Sequence, residues 1–198
     1  MNQDTVVSIC TSAMELAMKV GLPILIVLGF IRTGLGTPTA PPNQVLVGIA
    51  LFLTIFVMAP TFTQIKHDAF EPLQKGEITQ GQALKRAEAP LRTFMFKQTR
   101  DKDLALFVEL AKLKNPETRA DVPTYVLIPA FIISELKTAF QIGFLIFLPF
   151  LIIDLVVSNI LLAMGMMMLS PTTVSLPFKL LLFVFLDGWA KLVHGLIL

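Results

Sequence analysis

Three long apolar runs occupy the second half of this chain and limit what it can fold into. They cover residues 126–148, 150–164 and 177–198, and their charged residues are Glu135, Lys137, Asp154, Lys179, Asp187 and Lys191. A helix that crosses a bilayer needs about 20 apolar residues at a rise of about 1.5 Å each. The runs therefore predict membrane helices that carry a few isolated charges.

The composition predicts an all-α integral membrane protein. The chain has 198 residues, of which 55% are hydrophobic and 15% are charged, whereas soluble domains have about 25% charged residues. Helices satisfy every backbone polar group within one segment, as lipid requires, and the alternating pattern of an outer-membrane barrel is absent from the sequence. A net charge of +2 gives no reason to expect nucleic acid as a partner.

The chain divides into three segments: residues 1–59, a first membrane helical hairpin; residues 60–125, a soluble and mostly helical insert; and residues 126–198, a second membrane hairpin. A break rich in Gly and Pro at 34–43 separates the apolar residues 20–31 from the run 44–59. The insert holds 11 of the 16 Lys and Arg residues and 9 of the 14 Asp and Glu residues. This high density of charged residues predicts that the insert is exposed to water. We expect two long, broken hairpins with this insert between them.

Three helices are predicted within the insert. Thr79 and Gln82 match a capping box, so a helix should begin there, and Pro90 is suited to the first turn of another. Between Asp101 and Lys114, one apolar face is formed at helical spacing by Leu104, Phe107, Val108 and Ala111. Asn115 and Pro116 should end that helix.

The charges within the apolar runs are the first candidate functional residues. Charged side chains in such runs are costly unless they are paired or face water. We expect pairing between helices or between subunits for Glu135, Lys137, Asp154, Lys179 and Asp187. Asp154 has Ser158 at i+4, so its partner should come from another helix. The alternative is a position near the interface, from which long Lys side chains reach water; Lys191 suits that alternative.

A methionine-rich turn, 164–171, is the second candidate. Gly165 and Pro171 bracket Met166, Met167 and Met168 and are the expected hinges of the loop. Methionine is flexible and apolar, so several copies of this loop around one axis would make a deformable ring. Simple packing at an interface is the alternative.

No enzyme active site is recognisable in the sequence. It contains no Walker loop, no His-Glu-x-x-His and no Gly-x-Ser-x-Gly motif. Cys10, His67 and His194 do not have the spacing of metal ligands. We therefore expect no catalytic residue, no metal and no cofactor.

Seven motifs carry a resemblance to a known family, at residues 30–46, 127–130, 134–144, 149–154, 164–168, 176–180 and 187–189. They resemble the FliP family of flagellar biosynthetic proteins, and they occur in the family's order from about residue 28 to the end. Residues 1–27 instead resemble the start of the sister subunit FliQ, whereas FliP proteins usually begin with a cleavable signal. We therefore expect residues 1–27 to be off the family's pattern.

This resemblance implies a subunit of the flagellar type III protein export gate, in the bacterial cytoplasmic (inner) membrane at the flagellar basal body. A homo-pentamer of FliP would form a protein-conducting pore with FliQ and FliR, beside FlhA and FlhB, for unfolded export substrates. Met166, Met167 and Met168 would be its gasket. The insert would be extracytoplasmic. Its basic residues favour the cytoplasm by the positive-inside rule, but that rule weakens for loops beyond about 60 residues.

Two other functions stay open at this point. A small-ion or proton channel would use Asp154 and Glu135 as conducting carboxylates. A purely structural membrane scaffold would use its methionines only for packing. Measurement of ion conductance would distinguish the ion channel from a protein gate. The scaffold differs from the gate in whether the methionines face a central axis or a neighbouring subunit.

Overall fold

A computed structural model describes residues 20–113, 116, 118–166 and 168–197, the side chain of Ala120 excepted. All regular elements in these ranges are helical: α1 (Val20–Leu35), α2 (Asn43–Ile65), α3 (Glu71–Gln74), α4 (Gln80–Gln98), α5 (Asp101–Leu110), α6 (Thr124–Ala163), α7 (Pro171–Phe185) and α8 (Gly188–Ile197). A π-helical turn, Lys66–Phe70, joins α2 to α3, and a 3-10 turn, Arg119–Asp121, precedes α6. The predicted all-α class is confirmed over this part of the chain.

Two helical stretches are long and apolar enough to cross a membrane. They are Asn43–Gln74, with 32 residues, and Thr124–Ala163, with 40 residues. The pair α7 and α8 would make a third only if both belong to one span, because the chain bends by 62° between them. The described part of the protein is thus helical, with two stretches suited to lipid, or three if α7 and α8 form one span.

Prolines do not end the helices where the sequence suggested breaks. Pro60 lies inside α2, and α6 runs through Pro149, so the apolar runs on either side of Pro149 form one helix. Pro90 lies in the middle of α4, where it is buried; the prediction that it occupies the first turn of a new helix is wrong. A proline removes one backbone hydrogen bond, and in each of these helices the flanking turns remain helical.

The helices of the insert largely follow their sequence signals. The Thr79 N–H donates to Gln82 Oε1 at 2.9 Å, and the predicted capping box at the start of α4 is confirmed. The apolar face of α5 packs with Val122 and Val126. The helix ends at Leu110, earlier than predicted, because Lys112 has a left-handed backbone, with φ of 51°. Asn115 lies outside the described residues.

The 3-10 turn before α6 is held by Asp121. Its carboxylate accepts bonds from the Thr118 hydroxyl at 2.7 Å and the Thr118 N–H at 2.9 Å. Because both bonds favour the ionised form, they hold the pKa of Asp121 below its usual value.

The chain forms two compact units. The first contains residues 54–138 with 20–22, and its core includes Met58, Ala83, Leu127 and Phe131. The second contains residues 23–53 and the chain from 139 onward, and the side chains at its core are Val27, Leu28, Ile31, Phe150 and Phe183, among others. The methionine-rich turn belongs to the second unit.

Candidate functional site

A buried ion pair joins α6 to α7 in the second unit. Lys179 Nζ lies 2.6 Å from Asp154 Oδ2. The Lys179 residue is 1% exposed, whereas the side chain of Asp154 is 30% exposed. Because Lys179 is almost completely removed from water, the carboxylate is a partner that offsets the cost of burying it.

Ser175 completes the arrangement around Asp154. Its hydroxyl donates to Asp154 Oδ1 at 2.5 Å and also lies 3.2 Å from the carbonyl oxygen of Thr172. Ser175 is fully buried. Each carboxylate oxygen of Asp154 therefore has its own donor from α7, which is the condition under which a charge is tolerated in an apolar segment.

The glycine-rich turn after α1 approaches the same ammonium group. Gly36 has a φ of +75°, and a Cβ added there would lie 3.7 Å from Lys179 Nζ. The left-handed conformation suits glycine because it lacks a Cβ. The break at 34–43, which the sequence predicted only as a helix stop, thus also lies against the ion pair.

A short non-helical turn carries the methionines. α6 ends at Ala163 and α7 begins at Pro171 after an N-cap residue, Ser170, in extended conformation. Gly165, one of the two expected hinges, has a φ of +71°, a conformation that favours glycine. The side chains of Met164, Met166 and Met168 are exposed, and Met167 lies outside the described residues.

Glu135 and Lys137 belong to a different site, in the first unit. Lys137 Nζ lies 3.7 Å from Asp103 Oδ1. Asp103 is 6% exposed, and its other oxygen accepts a bond of 2.8 Å from the Ser134 hydroxyl. Glu135 is half-buried beside them in the chain.

Arg100 extends this cluster at the start of α5. Its backbone N–H donates to Ser134 Oγ at 3.1 Å, and its guanidinium donates to Thr138 Oγ1 at 3.0 Å. The cluster therefore fastens the beginning of α5 to α6 through both backbone and side-chain bonds.

Asp187 stands apart from both groups. It is exposed at the bend between α7 and α8, with a φ of 50°. The structure thus brings Asp154 and Lys179 together, places Glu135 and Lys137 in the first unit, and leaves Asp187 at a turn.

Sequence reasoning missed the neutral partners of these charges. Ser175 precedes Lys179 by four residues, so helical spacing places the two on one face, and that signal was available. Ser134 and Asp103 are separated by 31 positions, and no local pattern could have joined them.

The described part of the chain contains no cluster of side chains suited to a metal ion. Within it, no group of three or more His, Cys, Asp and Glu side chains is placed to hold a metal ion. Each buried side-chain nitrogen and oxygen there has a hydrogen-bond partner. The buried polar groups described here are therefore satisfied by protein.

Comparison with known proteins gives a consistent result. A sequence model of the FliP family matches residues 5–196. The chain is 58% identical to the flagellar biosynthetic protein FliP of Bacillus subtilis over 88% of this chain and 79% of that protein. The protein of the same name from Pectobacterium carotovorum is 55% identical over 87% of this chain and 67% of that protein. The one from Treponema pallidum is 50% identical over 97% of this chain and 71% of that protein. The family match begins at residue 5 and so includes most of residues 1–27, the segment that resembles the start of FliQ.

Proposed function

Because this chain belongs to the FliP family of flagellar biosynthetic proteins, we propose that it is a non-enzymatic subunit of the flagellar type III protein export gate. In this proposal, several copies of the chain form a protein-conducting pore with FliQ and FliR in the cytoplasmic (inner) membrane. FlhA and FlhB are the neighbouring subunits of the export apparatus, and unfolded polypeptides are the substrates. The insert lies on the extracytoplasmic side.

The methionine-rich turn carries the pore proposal. Met164, Met166 and Met168 are exposed on a non-helical turn that connects two apolar helices. An apolar constriction blocks water and ions by dewetting, and an unbranched thioether moves aside easily for a passing chain. We assign the gasket to Met166, Met167 and Met168, with Gly165 and Pro171 as its hinges.

The ion pair supports a structural role for the charges in this pore. Both carboxylate oxygens of Asp154 accept hydrogen bonds, one from Ser175 and the other from Lys179, which suits a carboxylate that holds α6 against α7. Its charge is thereby neutralised by a buried ammonium. This geometry favours the protein gate over the small-ion or proton channel.

The proposal is tested by deleting Met166–Met168 in growing cells that carry the complete export apparatus. Loss of the gasket should increase sensitivity to small ions while the gate still assembles. The control replaces each of the three by Leu, which keeps an apolar side chain of similar volume and should leave cells close to the parent. An assembled deletion complex with parental ion sensitivity would mean that the methionines serve only for packing.

A further inference from the structure

In addition to the long apolar helices, α8 offers a surface for the membrane that does not depend on the pore. We propose that the chain leaves the hydrocarbon at the turn between α7 and α8, and that α8 lies along the phospholipid headgroups. In this arrangement Trp189 lies at the level of the headgroups, and Lys191 and His194 face their phosphate groups.

The turn itself is built for a change of direction. The helices differ in direction by 62°, and Asp187 is exposed there in a left-handed backbone conformation. A Cβ on Gly188 would overlap the ring of Phe183. The Phe183 and Trp189 rings pack edge to face with centroids 5.2 Å apart. The bend is therefore fixed by packing, with a carboxylate at its outer side.

The two faces of α8 have different chemistry. Leu192 is buried in the core of the second unit, and Val193 and Leu196 pack against that core. Lys191 and His194 lie on the opposite face and are exposed. Neither forms an ion pair with any residue that the structure describes. A face with two such groups does not suit hydrocarbon, whereas an ammonium group binds phosphate well.

The last turn of α7 has the opposite character. Val184 and Phe185 are 75% and 80% exposed and are fully apolar, as expected of side chains that face acyl chains. Within a few residues the exposed surface changes to Asp187, Trp189 and Lys191. Tryptophan and lysine are typical of the membrane interface, so the boundary of the hydrocarbon falls at the bend.

Trp189 is the only tryptophan in the chain, so its fluorescence tests this placement directly. The full chain is reconstituted into phosphatidylcholine–phosphatidylglycerol vesicles containing lipids brominated either near the headgroup or near the methyl end. Quenching by the shallow lipid should be about twofold stronger, as the interfacial preference of tryptophan predicts. Stronger quenching by the deep lipid would place α8 in the hydrocarbon and overturn the proposal. Absence of quenching by both lipids would show that protein covers Trp189, and it would also overturn the proposal.

Labelling of single cysteines gives an independent measurement. In a Cys10→Ser background, the His194→Cys variant should react with a water-soluble maleimide about tenfold faster than the matched control Val184→Cys, because water reaches only the interfacial position. Equal and slow labelling of the two variants would contradict the proposal. Neither experiment requires protein export, so a failure of the pore proposal would be seen separately.

Discussion

At the residue scale, the ion pair between Asp154 and Lys179 depends on both partners being present. Lys179→Ala leaves the Asp154 carboxylate with Ser175 as its remaining described donor. Removing one partner of a buried pair costs about 3–5 kcal/mol, and the partial exposure of Asp154 lowers the expected loss to about 2–3 kcal/mol. Thermal unfolding of the purified chain in detergent measures the loss.

The matched control removes both charges. Asp154→Leu combined with Lys179→Met replaces the pair by apolar side chains, and such replacements are often neutral or stabilising. The double variant should therefore be more stable than Lys179→Ala. If the double variant is the less stable of the two, the pair contributes favourable energy of its own, and the prediction is wrong.

A second prediction at this scale concerns Gly143 in α6. A Cβ at this position would overlap the ring of Phe30, so Gly143→Ala must displace the aromatic side chain. Such overpacking costs about 1–3 kcal/mol and should lower the unfolding temperature. Gly48→Ala in α2 is the control, because nothing lies within 4 Å of its added Cβ. Equal effects of the two substitutions would argue against the close approach of Gly143 and Phe30.

At the scale of elements, the attachment of α5 to α6 depends on Ser134. Its hydroxyl donates to Asp103 and accepts from the Arg100 N–H. Ser134→Ala leaves the buried Asp103 carboxylate and the partly buried Arg100 N–H without this partner, at about 1–3 kcal/mol. Amide hydrogen exchange should become faster in the first turn of α5. Thr93→Ala is the control, since its exposed hydroxyl donates to the Ala89 carbonyl within the same helix; equal exchange in both variants would contradict the attachment.

Comparison of the helices with the sequence shows which of their features local signals can predict. Local chemistry predicted the start of α4 at Thr79 and the apolar face of α5, because caps and periodicity act within one or two turns. The prediction that Pro90 begins a helix is wrong, because Pro90 is buried in the first unit and α4 continues across it. The partner of Asp154 could be expected to come from another helix, but Lys179 is 25 positions away and is selected by tertiary packing.

At the scale of the whole molecule, much of the apolar surface is open to lipid or to other subunits. Phe52 on α2 and Phe185 on α7 are 74% and 80% exposed. Exposed apolar patches of this kind mark membrane or protein contacts. The proposed pore assigns some of this surface to further copies of the chain and places Met166–Met168 at its narrowest ring.

Single-channel conductance of the purified complex in a planar bilayer measures whether Met166–Met168 close the pore. The apolar side chains that line a dewetted constriction set its width. Conductance at rest should therefore increase from the parent to the variant Met166→Ala/Met167→Ala/Met168→Ala, and it should increase further on deletion of the three residues. Substitution of all three by Leu should stay near the parent. Equal resting conductance in all four fully assembled complexes would contradict the account.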